Sequence, residues 1–295
     1  MKTNQMNTKH ISHWEDSILT GDLSVLEFFD GDYEVSLKID GSPAVFWGFD
    51  PNNDKFFVAL KSIFNKVKKK VCYSVEDIEF YYQNQPKLIE ILTACFQCLP
   101  KEKGIFSGDF IGFGGLNVYT PNTITYQFPE VITQSIIIAP HTKWSTDGEL
   151  RDAYVSGSAP FFNDTDHVKF VQPVVDMIRP VLPEIDTDNV RFLSVKESAE
   201  VQVKINALFR SGEELNWFNL INILGCKNLA HLYLTMIELK QDLMDCMIVS
   251  DSPVAYINGE KIVGEGFVLK NHSTIMKLVN REVFSRANFN LQRSC

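Results

Sequence analysis

Three short strings carry the side chains best able to do chemistry. Lys38-Ile39-Asp40-Gly41 sits where the apolar run "EVSLKI" meets a turn. Gly108-Asp109-Phe110 lies inside "GIFSGDFIGF", and Glu265-Gly266-Phe267-Val268-Leu269-Lys270 is followed by Lys277 in "MKLV". Each lies on or beside an expected strand. A lysine amine becomes a nucleophile only when desolvation, neighbouring cations or a metal strip its proton. Carboxylates bind hard cations such as Mg2+. Taken alone, Lys38 is either a solvated strand-end charge or a working residue. Asp40 lies on the same face if both belong to the strand.

In order and chemistry these strings resemble the covalent nucleotidyltransferase superfamily: ATP-dependent DNA ligases, RNA ligases and GTP-dependent mRNA capping enzymes. Lys38 to Gly41 is similar to their KxDG lysine motif. Asp109 stands where an acidic strand motif usually has Glu, Glu265 to Lys270 resembles EGxxxK, and Lys277 resembles the final lysine motif. KxDG alone is weak; the ordered set is specific. The resemblance covers residues of about 33–140 and 250–290.

The resemblance implies a ligase-like fold and a covalent lysyl-AMP at Lys38. Lys270 and Lys277 would meet phosphates, with Lys61 a further phosphate or ribose contact. Asp40 and Gly41 would shape the nucleotide side of the turn. Glu265, Asp40 and Asp109 are the candidate Mg2+ ligands, and Asp109 would also face the ribose or the lysine. Tyr126 or Phe128 in "ITYQF" either stacks on a base or packs in the core. ATP and Mg2+ are the expected cofactors, and nucleic acid, RNA ahead of DNA, is the expected partner.

Departures from the pattern narrow the expectation. Pro43 replaces the arginine of KxDGxR, and Ser42-Pro43 is closer to phage-type RNA ligases. Lys277-Leu278-Val279 lacks the second cation of KxK. Only 18 residues follow Lys277, which leaves no room for a C-terminal OB domain. The expected function is therefore ATP-dependent RNA ligation, sealing 5′-phosphate and 3′-hydroxyl ends. The alternatives are a compact DNA ligase, an RNA guanylyltransferase, or a non-catalytic relative that binds nucleotide or nucleic acid.

The elements that must position these residues are α+β. "AVFWGF" and "KFFVAL", separated by "DPNND", read as a hairpin. "GIFSGDFIGF", "TITYQF" and "SIIIAP" read as further strands, and Asn258-Gly259 signals a type I′ hairpin. Ile11 to Phe29 reads as helical. Ser74 with Asp77 reads as a capping box for a helix towards Leu99, broken or kinked at Pro86. "YVSGSAPFFND" reads as a loop. Residues 165–247 read as mostly helical, with Leu229, Leu232, Tyr233, Met236, Leu239 and Leu243 facing a core. "REVFSRANF" reads as a short closing helix. The expected division is a nucleotidyltransferase domain of mainly antiparallel sheets at 1–164 and 248–295, with a helical subdomain inserted at 165–247.

The 295 residues carry a net charge of −9, which argues against a general polyanion binder. The exception is "KSIFNKVKKK", where Lys61, Lys66, Lys68, Lys69 and Lys70 form either a solvated edge or a polynucleotide contact. Cys95 and Cys98 form a CxxC that reads as helix-borne core cysteines. The six histidines show no metal spacing. No apolar run is long enough to cross a membrane, and the start lacks a signal-peptide core. A reducing cytoplasm, that of the host for a viral protein, is expected.

Overall fold

The structure is a computed structural model that describes residues 11–178, 180–213, 215–271 and 274–284. In chain order the first strands are β1 (Ser12–His13), β2 (Glu34–Lys38), β3 (Ala44–Phe49) and β4 (Phe56–Ala59). Next come β5 (Ile105–Phe113), β6 (Val118–Tyr119), β7 (Thr125–Gln127), β8 (Ile136–Ser145) and β9 (Tyr154–Ser158). The rest are β10 (Val168–Phe170), β11 (Val174–Met177), β12 (Met247–Ser250), β13 (Val254–Ile257), β14 (Glu260–Ile262), β15 (Gly266–Lys270) and β16 (Ile275–Val279). The α-helices are α1 (Glu27–Asp30), α2 (Val75–Tyr82), α3 (Pro86–Cys98), α4 (Val195–Ser211), α5 (Trp217–Leu224) and α6 (Lys227–Asp245). The chain is α+β, and its sheets are mostly antiparallel; β1–β16 and β10–β8 pair in parallel.

The chain forms two compact units. One holds Ile39–Pro173 and Asp251–Gly264. Its larger sheet runs β10-β8-β5-β3-β4, with β9 on β8, and its smaller one β14-β13-β7-β6. Alternation along β3 and β5 sends Val45, Trp47, Phe106 and Phe110 into a core shared with Ile78, Leu92 and Cys95 of α2 and α3. The opposite face buries Phe46, Phe57, Ile105 and Trp144. Ser74 caps α2 by accepting the Asp77 N–H at 3.3 Å. The Asp77 carboxylate takes the Tyr73 N–H rather than that of Ser74, so the reciprocal half of the box is shifted by one residue. Pro86 starts α3 at its first turn, where its missing donor costs nothing, so of the expected break or kink the structure has the break, giving two helices.

The second unit holds Ile11–Lys38, Val174–Ser250 and the chain from Glu265. Its main sheet runs β1-β16-β15-β2, and β11 and β12 form a separate antiparallel pair. Within Lys227–Asp245 the predicted stripe from Leu229 to Leu243 is buried. Opposite charges are buried here as well. Lys240 donates to Glu15 at 2.9 Å and to the Val279 carbonyl at 3.1 Å. Arg281 donates to Asp16 at 2.8 Å, Glu15 at 3.2 Å and Asn206 at 2.6 Å, and it lies over the Phe209 ring. Tyr233 donates to Asp16 at 2.8 Å. These bonds tie α4 and α6 to residues 15–16 and 279–281, which accounts for the grouping of the helices with the chain ends. The expected boundaries at 165 and 247 differ from those of the units.

Several local expectations change. Ile11 to Phe29 is not one helix. It comprises β1, 3-10 turns at Trp14–Thr20 and Ser24–Leu26, and the short α1. Gly21 takes φ +76° and Asp22 accepts the Ser24 N–H at 3.0 Å, which ends one turn and starts the next. "YVSGS" is a strand, because it completes the β8 edge. Residues 165–194 hold β10 and β11 rather than helix; "VKF" and "VVDM" alternate with period two. Residues 281–284 are helical, and the rest of the predicted closing helix lies outside the described residues. Among the described residues no helix is long and apolar enough to cross a membrane.

The charge network makes a testable demand. Arg281→Met leaves Glu15 and Asp16 buried without that partner, and urea unfolding should show a loss of about 3–5 kcal/mol. A loss below about 1 kcal/mol, the value of an exposed pair, would show that the network does not hold this unit together.

Candidate functional site

β15 is flanked by β2 on one side and β16 on the other. Gly266 pairs with Lys38, Lys270 with Glu34, and Val268 with both Ser36 and Lys277. Directly paired residues point to the same side of a sheet. Lys38, Lys270 and Lys277 therefore share one face. Leu37, Phe267, Leu269, Met276 and Leu278 point the other way and are buried. The period-two alternation of "VSLK", "GFVLK" and "IMKLV" produces this division.

Two features place the carboxylate of Glu265 against Lys38. Gly266 has φ +148°, and a Cβ there would lie 2.0 Å from the Leu278 carbonyl oxygen, so only glycine fits the turn into β15. The Glu265 N–H then donates to the Lys38 carbonyl at 3.3 Å, and its carboxylate forms an ion pair with the Lys38 ammonium. The Lys38 side chain keeps 29% of its exposure, so the pair is reachable from solvent. Lys270 pairs with Glu34 at 3.2 Å.

Across the β1–β16 ladder His13 sits beside Lys277. Burial holds the Lys277 ammonium below the usual lysine range; repulsion from Lys38 adds to this, and Glu265 opposes it. Burial also pushes the His13 imidazole far down, helped by Arg281, Lys277, Lys240 and Lys38, so His13 is neutral. This face therefore carries three lysines, two of them paired with Glu265 and Glu34, and one uncharged imidazole.

The other unit carries the second set of predicted residues. The Asp40 N–H donates to the Tyr126 hydroxyl at 2.7 Å, and Asn122 donates to the Asp40 carboxylate at 2.8 Å. Gly41 lies against β5: a Cβ would be 2.7 Å from the Phe110 carbonyl oxygen and 3.0 Å from the Asp109 Cβ. Ser42 and Phe110 close the contact, with Ser42 N–H to Phe110 O and Phe110 N–H to Pro43 O, both 3.0 Å. Asp109 pairs with Ala44 and Ala139, and the His141 ring approaches its carboxylate at 3.8 Å.

The remaining predicted residues lie in the same unit. Tyr126 is fully buried, and Phe128 packs edge-on against Tyr119. Both rings lie in the core, which is the packing alternative for them, and the Tyr126 hydroxyl still reaches the Asp40 N–H. In the lysine patch Lys61, Lys66 and Lys68 are exposed. Lys69 lies 3.8 Å from Glu149, while Lys70 donates to the Tyr81 carbonyl at 2.9 Å and covers the Tyr82 ring. Cys95 is buried in the core, and its thiol is pushed up by burial.

Among the described residues no three histidine, cysteine or acidic side chains are gathered to hold a metal ion. His10 and His272 lie outside the described residues. Mg2+ is ordinarily held by one or two carboxylates together with substrate phosphates; Asp40 and Asp109 in one unit and Glu265 in the other each offer an oxygen donor of that kind. Asn122, His13 and His141 did not stand out in the sequence. Only long-range pairing brings them to Asp40, Lys277 and Asp109, and no local motif marks them.

Fold and site together describe an α+β protein with a lysine-bearing sheet face and a clamped Asp-Gly turn. The chain belongs to DUF6267, a family of unknown function whose model matches residues 7–222 and 213–293. No curated protein and no solved structure matches it.

The close approach at Gly266 predicts a sharp asymmetry between glycines. Gly266→Ala should lower the thermal midpoint by several degrees, because the added methyl meets backbone. Gly148→Ala, with nothing within 4 Å, should leave it nearly unchanged. Equal midpoints in a thermal melt would contradict the described β15–β16 register.

Proposed function

We propose that the chain is an ATP-dependent, RNA-ligase-like nucleotidyltransferase in which Lys38 carries AMP. The observation that supports this most is the common face of Lys38, Lys270 and Lys277, with Glu265 against Lys38. The KxDG and EGxxxK resemblance supplies the reaction type.

In the first step Lys38 gives up a proton through its contact with Glu265. Its amine forms a nitrogen–phosphorus bond with the α-phosphate of ATP, and the bond to pyrophosphate breaks. Lys270 and Lys277 meet the negative charge of the departing phosphates. Next, an oxygen of a 5′-phosphate end attacks the adenylyl phosphorus, and the lysine nitrogen leaves and is reprotonated. Finally a 3′-hydroxyl, losing its proton, attacks the activated phosphate, and AMP departs as the strand is sealed. Mg2+ would neutralise phosphate charge, and the Glu265 carboxylate beside Lys38 would supply it with an oxygen ligand. Exposed Lys66 and Lys68 are the proposed contacts to the polynucleotide backbone.

The test is covalent labelling. Incubation with Mg2+ and α-labelled ATP, followed by denaturation, should leave label on the protein, and Lys38→Ala should abolish it. Label from GTP alone would replace the ligase reading with guanylyl transfer. No label from either nucleotide, across pH and with Mn2+ as well, would leave the non-catalytic binding alternative. For the lysine patch, replacing Lys66 and Lys68 by Ala should flatten the salt dependence of single-strand RNA binding by about 0.7 in log–log slope per lysine. An unchanged slope would remove them from the interface.

A further inference from the structure

The Asp40 turn is held from two directions, and one holder has no counterpart among the residues that the resemblance implies. β2 ends at Lys38, so the Asp40 N–H lies beyond the ladder that pairs β2 with β15. The Tyr126 hydroxyl accepts that N–H at 2.7 Å. Its ring is fully buried on β7, between β6 and β13, so the hydroxyl stands on a fixed base. From the loop that joins β6 to β7, Asn122 donates its amide to Oδ2 of Asp40 at 2.8 Å. One short hairpin thus grips both the backbone and the carboxylate of a single residue. On the other side Gly41 is pressed against the Phe110 carbonyl, which prevents the turn from shifting towards β5.

A carboxylate that must meet a cation or a ribose needs a fixed rotation, and hydrogen-bonded partners behind it usually supply that. We propose that Asn122 and Tyr126 are positioning residues that set the Asp40 carboxylate for a nucleotide-bound divalent cation, a proposal that rests on the nucleotidyltransferase reading. Tyr126 fixes where the turn begins, and Asn122 fixes which way the carboxylate points.

Tyr126→Phe and Asn122→Ala separate these two grips, and circular dichroism checks that both variants fold. Amide exchange of residues 40–42, followed by mass spectrometry, should speed up in Tyr126→Phe. In Asn122→Ala the Mg2+ concentration for half-maximal Lys38 labelling should rise by about 10–100-fold, while the KM for ATP changes little. Asn122→Ala combined with Asp40→Asn should be no worse than Asp40→Asn alone, since the two act through one group. Unchanged exchange in Tyr126→Phe, an unchanged Mg2+ requirement in Asn122→Ala, or multiplying effects in the double variant would overturn the proposal. If the wild-type protein takes no label, the nucleotidyltransferase reading falls separately. Mn2+ titration by electron paramagnetic resonance then replaces labelling: weaker binding in Asn122→Ala supports the positioning role, and equal binding overturns it.

Discussion

Gly266 lets β15 pass within contact distance of the Leu278 carbonyl on one edge while pairing with Lys38 on the other. The arrangement of the lysine face follows from this single fit. With β15 in that register, two-residue alternation places Lys38, Lys270 and Lys277 on one side and the apolar residues on the buried side. A slip of one residue on β15 would send Lys270 into the core. The same fit places Glu265 at the Lys38 carbonyl, where its carboxylate meets the ammonium. The neighbouring carboxylate favours the Lys38 ammonium, while Lys277 on the same face opposes it.

Near His13 and Lys277 lies a buried network of opposite charges. Lys240 and Arg281 are compensated by Glu15 and Asp16, with Tyr233 and Asn206 completing the hydrogen bonds. Buried charges are tolerated only when paired in this way. Because its members come from residues 15–16, α4, α6 and 281, the network joins segments that are far apart in sequence. His13 and Lys277 are depressed chiefly by burial; Arg281 adds to this at both, and Asp16 opposes it at Lys277.

What the sequence made legible was local. The Asn258-Gly259 turn has both residues at positive φ, as its hairpin signal required. The β3–β4 hairpin, the Ser74 cap and the buried stripe of α6 were likewise written in turn residues, capping residues and spacing. The Lys38, Glu265 and Lys277 strings could be singled out because each is a compact motif. The misses came from long-range packing. "YVSGS" became a strand only because the β8 edge needed a partner, and Gly21 with Asp22 overrode a helical spacing. Both expectations for Tyr126, stacking on a base or packing in the core, concerned its ring; the ring is buried and the turn uses the hydroxyl, and Asn122 in a polar loop gave no signal at all.

The central claim is that Lys38 is the covalent residue of the lysine face. Peptide mapping by mass spectrometry, after incubation with ATP and Mg2+, tests it most directly. The account predicts an adenylyl group on the peptide that contains Lys38, and on no other. An adduct on Lys270, Lys277 or any other residue, or no adduct, would contradict it.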